Sequence, residues 1–292
     1  MSKNNPSRQI RINNDKYQPL FLATRNFTIT NNNSTYTYYF QQAKEIRNKE
    51  MALFNLFIYY SWYNINALKY NNNTVSYTFN GTVRNIVIPD GDYEISDISN
   101  YIQLVMQTNG DYLVDNNNNI VYFISLVQNP TYYGATLTCT PIPSSLPTGW
   151  TNPNSITLSG ETPTLNFDNS NFNLLLGFNT NTSYPATPQT SVYAINSVNT
   201  PEINPVYCVN VLTNMTNNDG LVNVNANVIY QFNPTNNTYG SQIQIEPTNL
   251  LFCKINDNPY NYLQITFTDQ DGNFLPIRDV AMNMAFVTRD RE

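Results

Sequence analysis

Short β-type runs, parted by Asn, Asp, Gly and Pro, recur along almost the whole of this chain, and that spacing admits few folds. The clearest case is "TVSYTFNGTVRNIVIP" (74–89). Its two alternating runs meet at Asn80-Gly81, a pair that accepts the positive φ of a two-residue hairpin turn. A second hairpin is expected in "DYLVDNNNNIVYFISLVQ" (111–128), tipped by Asn116–Asn119, and a third in "YLQITFTDQDGNFLPI" (262–277), turning at Asp271-Gly272. Strands are further expected in "YGATLTCTPIP", at 206–213, 227–232, 241–245 and 250–255, and in "VAMNMAFVT" (280–288). The most apolar stretch, "MALFNLFIYYSWYNINAL" (51–68), predicts a buried strand near 54–63 followed by a turn. Many short strands with turn signals between them imply an all-β antiparallel sandwich or jelly roll.

One segment breaks the pattern. In "IVIPDGDYEISDISNYIQLVMQTNG" (86–110) a strand-like run meets a Pro-Asp-Gly turn and then a helical period. Ile98, Tyr101, Ile102, Val105 and Met106 recur at helical spacing and form one apolar stripe. Ser96 is the expected N-cap, Glu94 and Asp97 favour the positive end of the dipole, and Gly110 is placed to end the helix. This predicts a helix of about eleven residues lying flat on a sheet.

Composition excludes more than it proposes. The chain contains no His, which removes Ser-His-Asp and Cys-His catalysis and His-based zinc sites. Its three cysteines, Cys139, Cys208 and Cys253, stand far apart; a structural role is expected for them, not a disulfide framework. The acids of Asp90/Asp92/Glu94 and Asp269/Asp271 fall on tight turns, where Asp bonds its own backbone. "DQDG" resembles part of a calcium loop, but no Glu follows at the required spacing. No enzyme activity, cofactor, metal or membrane span is expected, and the start of the chain shows no apolar signal core.

Charge is distributed unevenly. Residues 1–50 hold eight Lys/Arg against three acids, whereas no basic residue occurs between Arg84 and Lys254. The body is therefore not expected to bind nucleic acid. The first 35 residues read as an extended basic arm, and 36–292 as a single jelly-roll domain. Alternating anchors and charges (Arg8, Ile10, Arg11, Ile12, Lys16, Tyr17, Leu20, Phe21 and Arg25) suit the arm to docking on an acidic neighbouring subunit. Removing residues 1–20 is then expected to leave a folded protein. From Pro141 to about Pro205 the prolines are dense and charge is nearly absent, which predicts a Pro/Asn-rich insertion anchored by "FNLLLGF" (172–178).

The order of these pieces resembles the penton, or minor capsid, proteins of virophages and of related polinton-like and adintovirus-like viruses. The resemblance is carried by Ile88, Pro89, Gly91, Tyr93, Ile95, Asp97 and Ile98, by "LLLGF", and by "LQITFTDQDGNFLPIRDVAMNMAFV". It implies a structural motif of Pro89, Gly91, Tyr93, Asp97 and Ile98 that leads into a short helix within a single jelly roll. It further implies a homopentamer at the five-fold vertex of an icosahedral virion, touching the major capsid protein and synthesised in the host cytoplasm. A virion spike, or a receptor- or glycan-binding β-module using the Tyr-rich loops, is the alternative from a different class.

Overall fold

The computed structural model describes residues 17–23, 25, 27–168, 171–216, 227–234 and 237–291. In chain order come β1 (Gln18–Ala23), β2 (Thr28–Thr30), β3 (Thr35–Ile46) and β4 (Lys49–Tyr59). Next are α1 (Ala67–Tyr70), β5 (Thr74–Phe79), β6 (Thr82–Val87), α2 (Ile95–Asn109), β7 (Leu113–Val114) and β8 (Ile120–Val121). These lead to β9 (Ile124–Asn129), β10 (Gly134–Cys139), β11 (Thr164–Phe167), α3 (Phe172–Leu176), β12 (Thr182–Tyr184) and β13 (Tyr193–Asn196). The chain closes with β14 (Val209–Thr213), β15 (Val228–Phe232), β16 (Gln242–Ile245), β17 (Cys253–Lys254), β18 (Asn258–Thr268) and β19 (Asn283–Asp290). The class is all-β, with three helices among the described residues where one was expected.

The chain divides into two units, one made of residues 1–62 and 206–292, the other of 63–205. The first is a sandwich. One sheet runs β1-β19-β4-β16, with β17 also on β4, and the other runs β15-β14-β18-β3-β2. Take β1, β3, β4, β14, β15, β16, β18 and β19 as first to eighth. The sheets then read first-eighth-third-sixth and fifth-fourth-seventh-second, which is jelly-roll order. The roll takes its first strand, Gln18–Ala23, from the segment read as an arm, and the second unit begins at 63, where the sequence reading placed an insertion from about 141.

Alternation explains the roll's core. Tyr36, Leu263, Ile265 and Phe267 point inward from one sheet, and Leu53, Leu56, Ile58, Met284 and Phe286 from the other, all buried in one cluster. Tyr36 and Phe267 meet edge to face at 5.8 Å. The turn between β2 and β3 is Asn31-Asn32-Asn33, with φ of 54°, 53° and 63°. Among the described residues Asn supplies eight of the ten non-glycine positions at positive φ, so its abundance serves the turns of a short-stranded protein.

In the second unit β12-β11-β5-β6 form one sheet and β13-β10-β9 another. The hairpin at Asn80-Gly81 is present, with Phe79 opposite Thr82. Helix α2 runs fifteen residues and starts one position before Ser96, with Glu94 as its cap. The reason is Asp97, whose Oδ2 accepts the Glu94 N–H at 3.0 Å, so the cap moves upstream. The stripe is as expected: Ile98, Ile102 and Met106 are buried, and Tyr101 and Val105 pack beside them. The helix lies along the free side of β9, where Ser99 Oγ accepts the Leu126 N–H at 3.0 Å and Gln103 Nε2 donates to Ile124 O at 3.3 Å. A good helix among poor ones is thus a cover for a sheet edge. Gly110 ends it at φ 78°.

One buried carboxylate sits in this unit. Asp111 is 3% exposed and accepts Tyr77 Oη–H at 2.7 Å and Arg84 Nε–H at 3.2 Å. Burial holds the Tyr77 hydroxyl well above its ordinary pKa. Arg84→Met is expected to cost about 2–4 kcal/mol, because it strands a desolvated charge; the range is set below that of a fully buried pair since Arg84 is partly exposed. The double variant Arg84→Met/Asp111→Asn should recover part of the loss in urea denaturation. An equal loss in both would place the energy elsewhere.

Candidate interaction surfaces

Among the described residues, the β2-β3-β18-β14-β15 sheet carries no charge on its outward side as far along β3 as Tyr39; the exposed Glu45 lies beyond. Register pairs Thr35 with Thr266, Thr37 with Gln264 and Tyr39 with Tyr262, while Asn210 faces Thr268 on one side and Gln231 on the other. Side chains stitch it laterally: Gln264 Nε2 donates to Thr37 Oγ1 at 3.2 Å, Asn210 Nδ2 to Thr268 Oγ1 at 3.2 Å, and Gln231 Nε2 to Asn210 Oδ1 at 2.7 Å. The face ends in an exposed cross-strand pair, Tyr39 (61%) and Tyr262 (39%), with ring centroids 6.0 Å apart. Thr35, Thr37, Asn210 and Thr268 are themselves buried, so what the face offers a partner is Gln231, the partly exposed Gln264 and Thr266, and the tyrosine pair. That end can meet another protein without desolvating ions, and tyrosine is enriched at interfaces. The alternation that places these residues outward was legible in sequence, but the pairing that assembles them was not.

Of the residues assigned to the arm, Arg8, Ile10, Arg11, Ile12 and Lys16 lie outside the described residues. The others are not brought together as a free arm. Leu20 and Leu22 serve their own core, and β1 pairs with β19 from Gln18–Thr288 to Ala23–Asn283. Phe21 faces out at 67% exposure, and Arg25 is exposed. Tyr17 stacks on Phe252 with centroids 5.9 Å apart. Over that ring, at 3.9 Å, lies the guanidinium of Arg289, which also donates from Nε to Glu50 Oε2 at 2.9 Å.

The Pro89–Ile98 motif belongs to the second unit and not to the jelly roll. Gly91 and Ile65 exchange both backbone hydrogen bonds at 3.0 Å. A Cβ on Gly91 would lie 2.6 Å from the Tyr93 ring, so the small residue lets that ring fold over the turn. Asn64 holds the segment: its Oδ1 accepts the Tyr93 N–H at 2.9 Å, and its Nδ2 donates to Tyr93 O and Ile203 O, both at 2.8 Å. Asp90 Oδ1 accepts the Ala67 N–H at 2.8 Å, Ile98 is buried and Pro89 is exposed. These residues build a turn and a helix start.

Asp92 is the exception among the turn acids. Its Oδ1 is buried with no hydrogen-bond partner among the described residues. Burial, then Glu94 and Asp97, push its carboxyl up to about 6. The shift is upward, so this group's contribution to stability is fully present below the ordinary carboxyl value of 3.8, where it is protonated in both states, and is lost as pH rises through about 6. Asp92→Asn is therefore expected to stabilise the protein at about pH 8, by about 1 kcal/mol at most after solvent screening. The gain should vanish near pH 4. Melting curves across that range check it, and a gain independent of pH would contradict the assignment.

Among the described residues no cluster of three or more His, Cys, Asp or Glu is placed to hold a metal, and no helix is long and apolar enough to cross a membrane. None of the three cysteines is in a disulfide, and burial pushes the Cys139 thiol up to about 12. Asp269 Oδ1 caps its own turn, accepting from Asp271 N at 3.1 Å and Asn273 N at 2.9 Å.

Fold and surfaces together define an all-β protein whose jelly roll carries a second β unit between its third and fourth principal strands. No protein-family model matches the chain, and no curated protein matches it. Among solved structures it is similar to the mavirus penton protein, at 10% identity over 94% of this chain and 99% of that one, with a TM-score of 0.45. It is also similar to a chain of the Sputnik virophage structure, at 13% identity over 94% of this chain and 98% of that one, with a TM-score of 0.43.

Proposed function

We propose that this chain is a non-enzymatic structural component of a virion, a penton that pentamerises at the five-fold vertices and contacts the major capsid protein. The observation that carries the reading is the jelly-roll order of a unit whose outer sheet face ends in the exposed, uncharged pair Tyr39 and Tyr262. A jelly roll alone hosts many functions, so the weight falls on that face and on the sequence resemblance. Side-by-side contacts around a closed ring suit such a face, since each copy gives one surface and receives another. The basic start of the chain, Arg8 to Lys16, supplies a second contact toward the major capsid protein. Synthesis in the host cytoplasm and residence in the virion accompany this role.

The mass of the purified protein in solution tests the ring. Five copies of the 33.4 kDa chain are expected, and a trimer or monomer at high concentration overturns the pentamer. Removal of residues 1–16, which spares β1, should leave a folded protein that fails to enter particles when co-produced with the major capsid protein. Normal incorporation refutes the second contact. Removing residues 1–20 is a poorer test, because Gln18, Pro19 and Leu20 belong to the roll's first strand.

A further inference from the structure

The first unit carries an apolar groove of about 510 Å³ between two strands that no other strand completes. One wall is the start of β1, Gln18 to Leu20, and the other the far half of β3, from Phe40 to Ile46. Met51, Met215 and Ile255 lie at its base. Among the described residues, β1 pairs only with β19, and β2 covers β3 only at Thr35–Thr37. Beyond Thr37 the outer side of β3 presents main-chain donors and acceptors to no strand among the described residues. Proteins rarely leave such an edge beside an apolar hollow, because an extended chain adds to it readily. On β1 the edge is blunted by Pro19, which has no N–H to give, so β3 is the better template.

We propose that this groove receives an extended segment of a neighbouring shell subunit, added as a strand along β3 and carrying apolar side chains alternating with carboxylates. The apolar base takes every second side chain, as strand geometry requires. Charge selects the rest: Lys44, Arg47 and Lys49 stand on the rim, with Glu45 beside Arg47 and Asp290 beside Lys49, which leaves one cation in excess. Arg47 pairs with Glu45 and Lys49 with Asp290, while Lys44 sits 5.1 Å over the Phe40 ring. Lys44 is thus the cation most available to a ligand. The chain's own residues 1–16 hold four Lys/Arg against one Asp, the wrong sign for this rim.

The inference rests on the assembly reading only for the source of the segment. It is tested with the full chain and two labelled eight-residue peptides, one alternating valine with glutamate and the other valine with lysine, by fluorescence anisotropy. The glutamate peptide should bind about tenfold more tightly than the lysine peptide, lose that preference in Lys44→Glu, and weaken with added salt. Equal binding of both peptides, binding of neither, or no effect of Lys44→Glu overturns the proposal. Binding that emerges only after residues 1–16 are removed also overturns it, since the groove would then belong to the chain's own start. The solution mass tests the ring separately, whichever way the peptides behave.

Discussion

Gly177→Ala is expected to destabilise the second unit by more than about 3 kcal/mol, enough to lower its melting temperature by about 10 °C. Gly177 closes α3 at φ 75°, giving its N–H to Asn173 O and Leu174 O. Alanine there meets left-handed strain of about 1–2 kcal/mol. Steric overlap costs more. An added Cβ would stand 2.1 Å from the carbonyl oxygen of Asn199, and the Asn199 N–H itself donates to Gly177 O at 2.9 Å. Backbone presses on backbone, so no rotamer relieves it. Gly81→Ala is the control: φ there is 76°, with nothing within 4 Å of the added atom, so only the strain should register. Equal losses in the two variants, read by urea denaturation, would remove the steric argument.

Phe167→Ala is expected to cost about 3–5 kcal/mol, the range for deleting a buried aromatic ring. Phe167 is 1% exposed and lies among three other rings, with centroids 5.2 Å from Phe178, 5.9 Å from Tyr184 and 6.3 Å from Phe172. Its removal opens a cavity whose walls are strand β11, helix α3 and the segment after it, none of which can collapse without breaking β11's pairing to β5 and β12. Phe167→Leu, which keeps most of the volume, should cost about 1.5 kcal/mol or less. Comparable losses for leucine and alanine would mean that stacking, not volume, holds the cluster.

Where local chemistry decides the structure, the sequence was readable. Asn80-Gly81 turned where its φ preference required, and the stripe from Ile98 to Met106 found its sheet. "FNLLLGF" packs into the second unit's core as a short helix ended by glycine, a form its continuous apolar run could not distinguish from a strand. At Asp271-Gly272 the expected hairpin shrinks to a Thr268–Phe274 bridge, because Asp269 draws the following N–H groups to its carboxylate and Pro276 gives none. The apolar strand lies earlier than expected, at Lys49–Tyr59: the cut between strand and turn in "YYSWYNI" depends on packing and not on pattern. The division at 62/63 left no compositional mark, since Ser61, Trp62, Asn64 and Ile65 are all buried whichever unit holds them. Strand β1 was missed for a related reason. An edge strand with one exposed face reads like an arm until its partner, some 265 residues away, is known.

A single amide decides how lightly the second unit weighs on the roll. Asn64 lies at the unit's entrance and bonds Ile203 at its exit, so the two ends meet within the width of one side chain. Closing a floppy loop of that length would cost about 4 kcal/mol in chain entropy. Here the guest has already brought its own ends together, and its host need accommodate no more than a tight turn. Either part can then grow, shrink or be traded during evolution while the strand register of the other stays as it was.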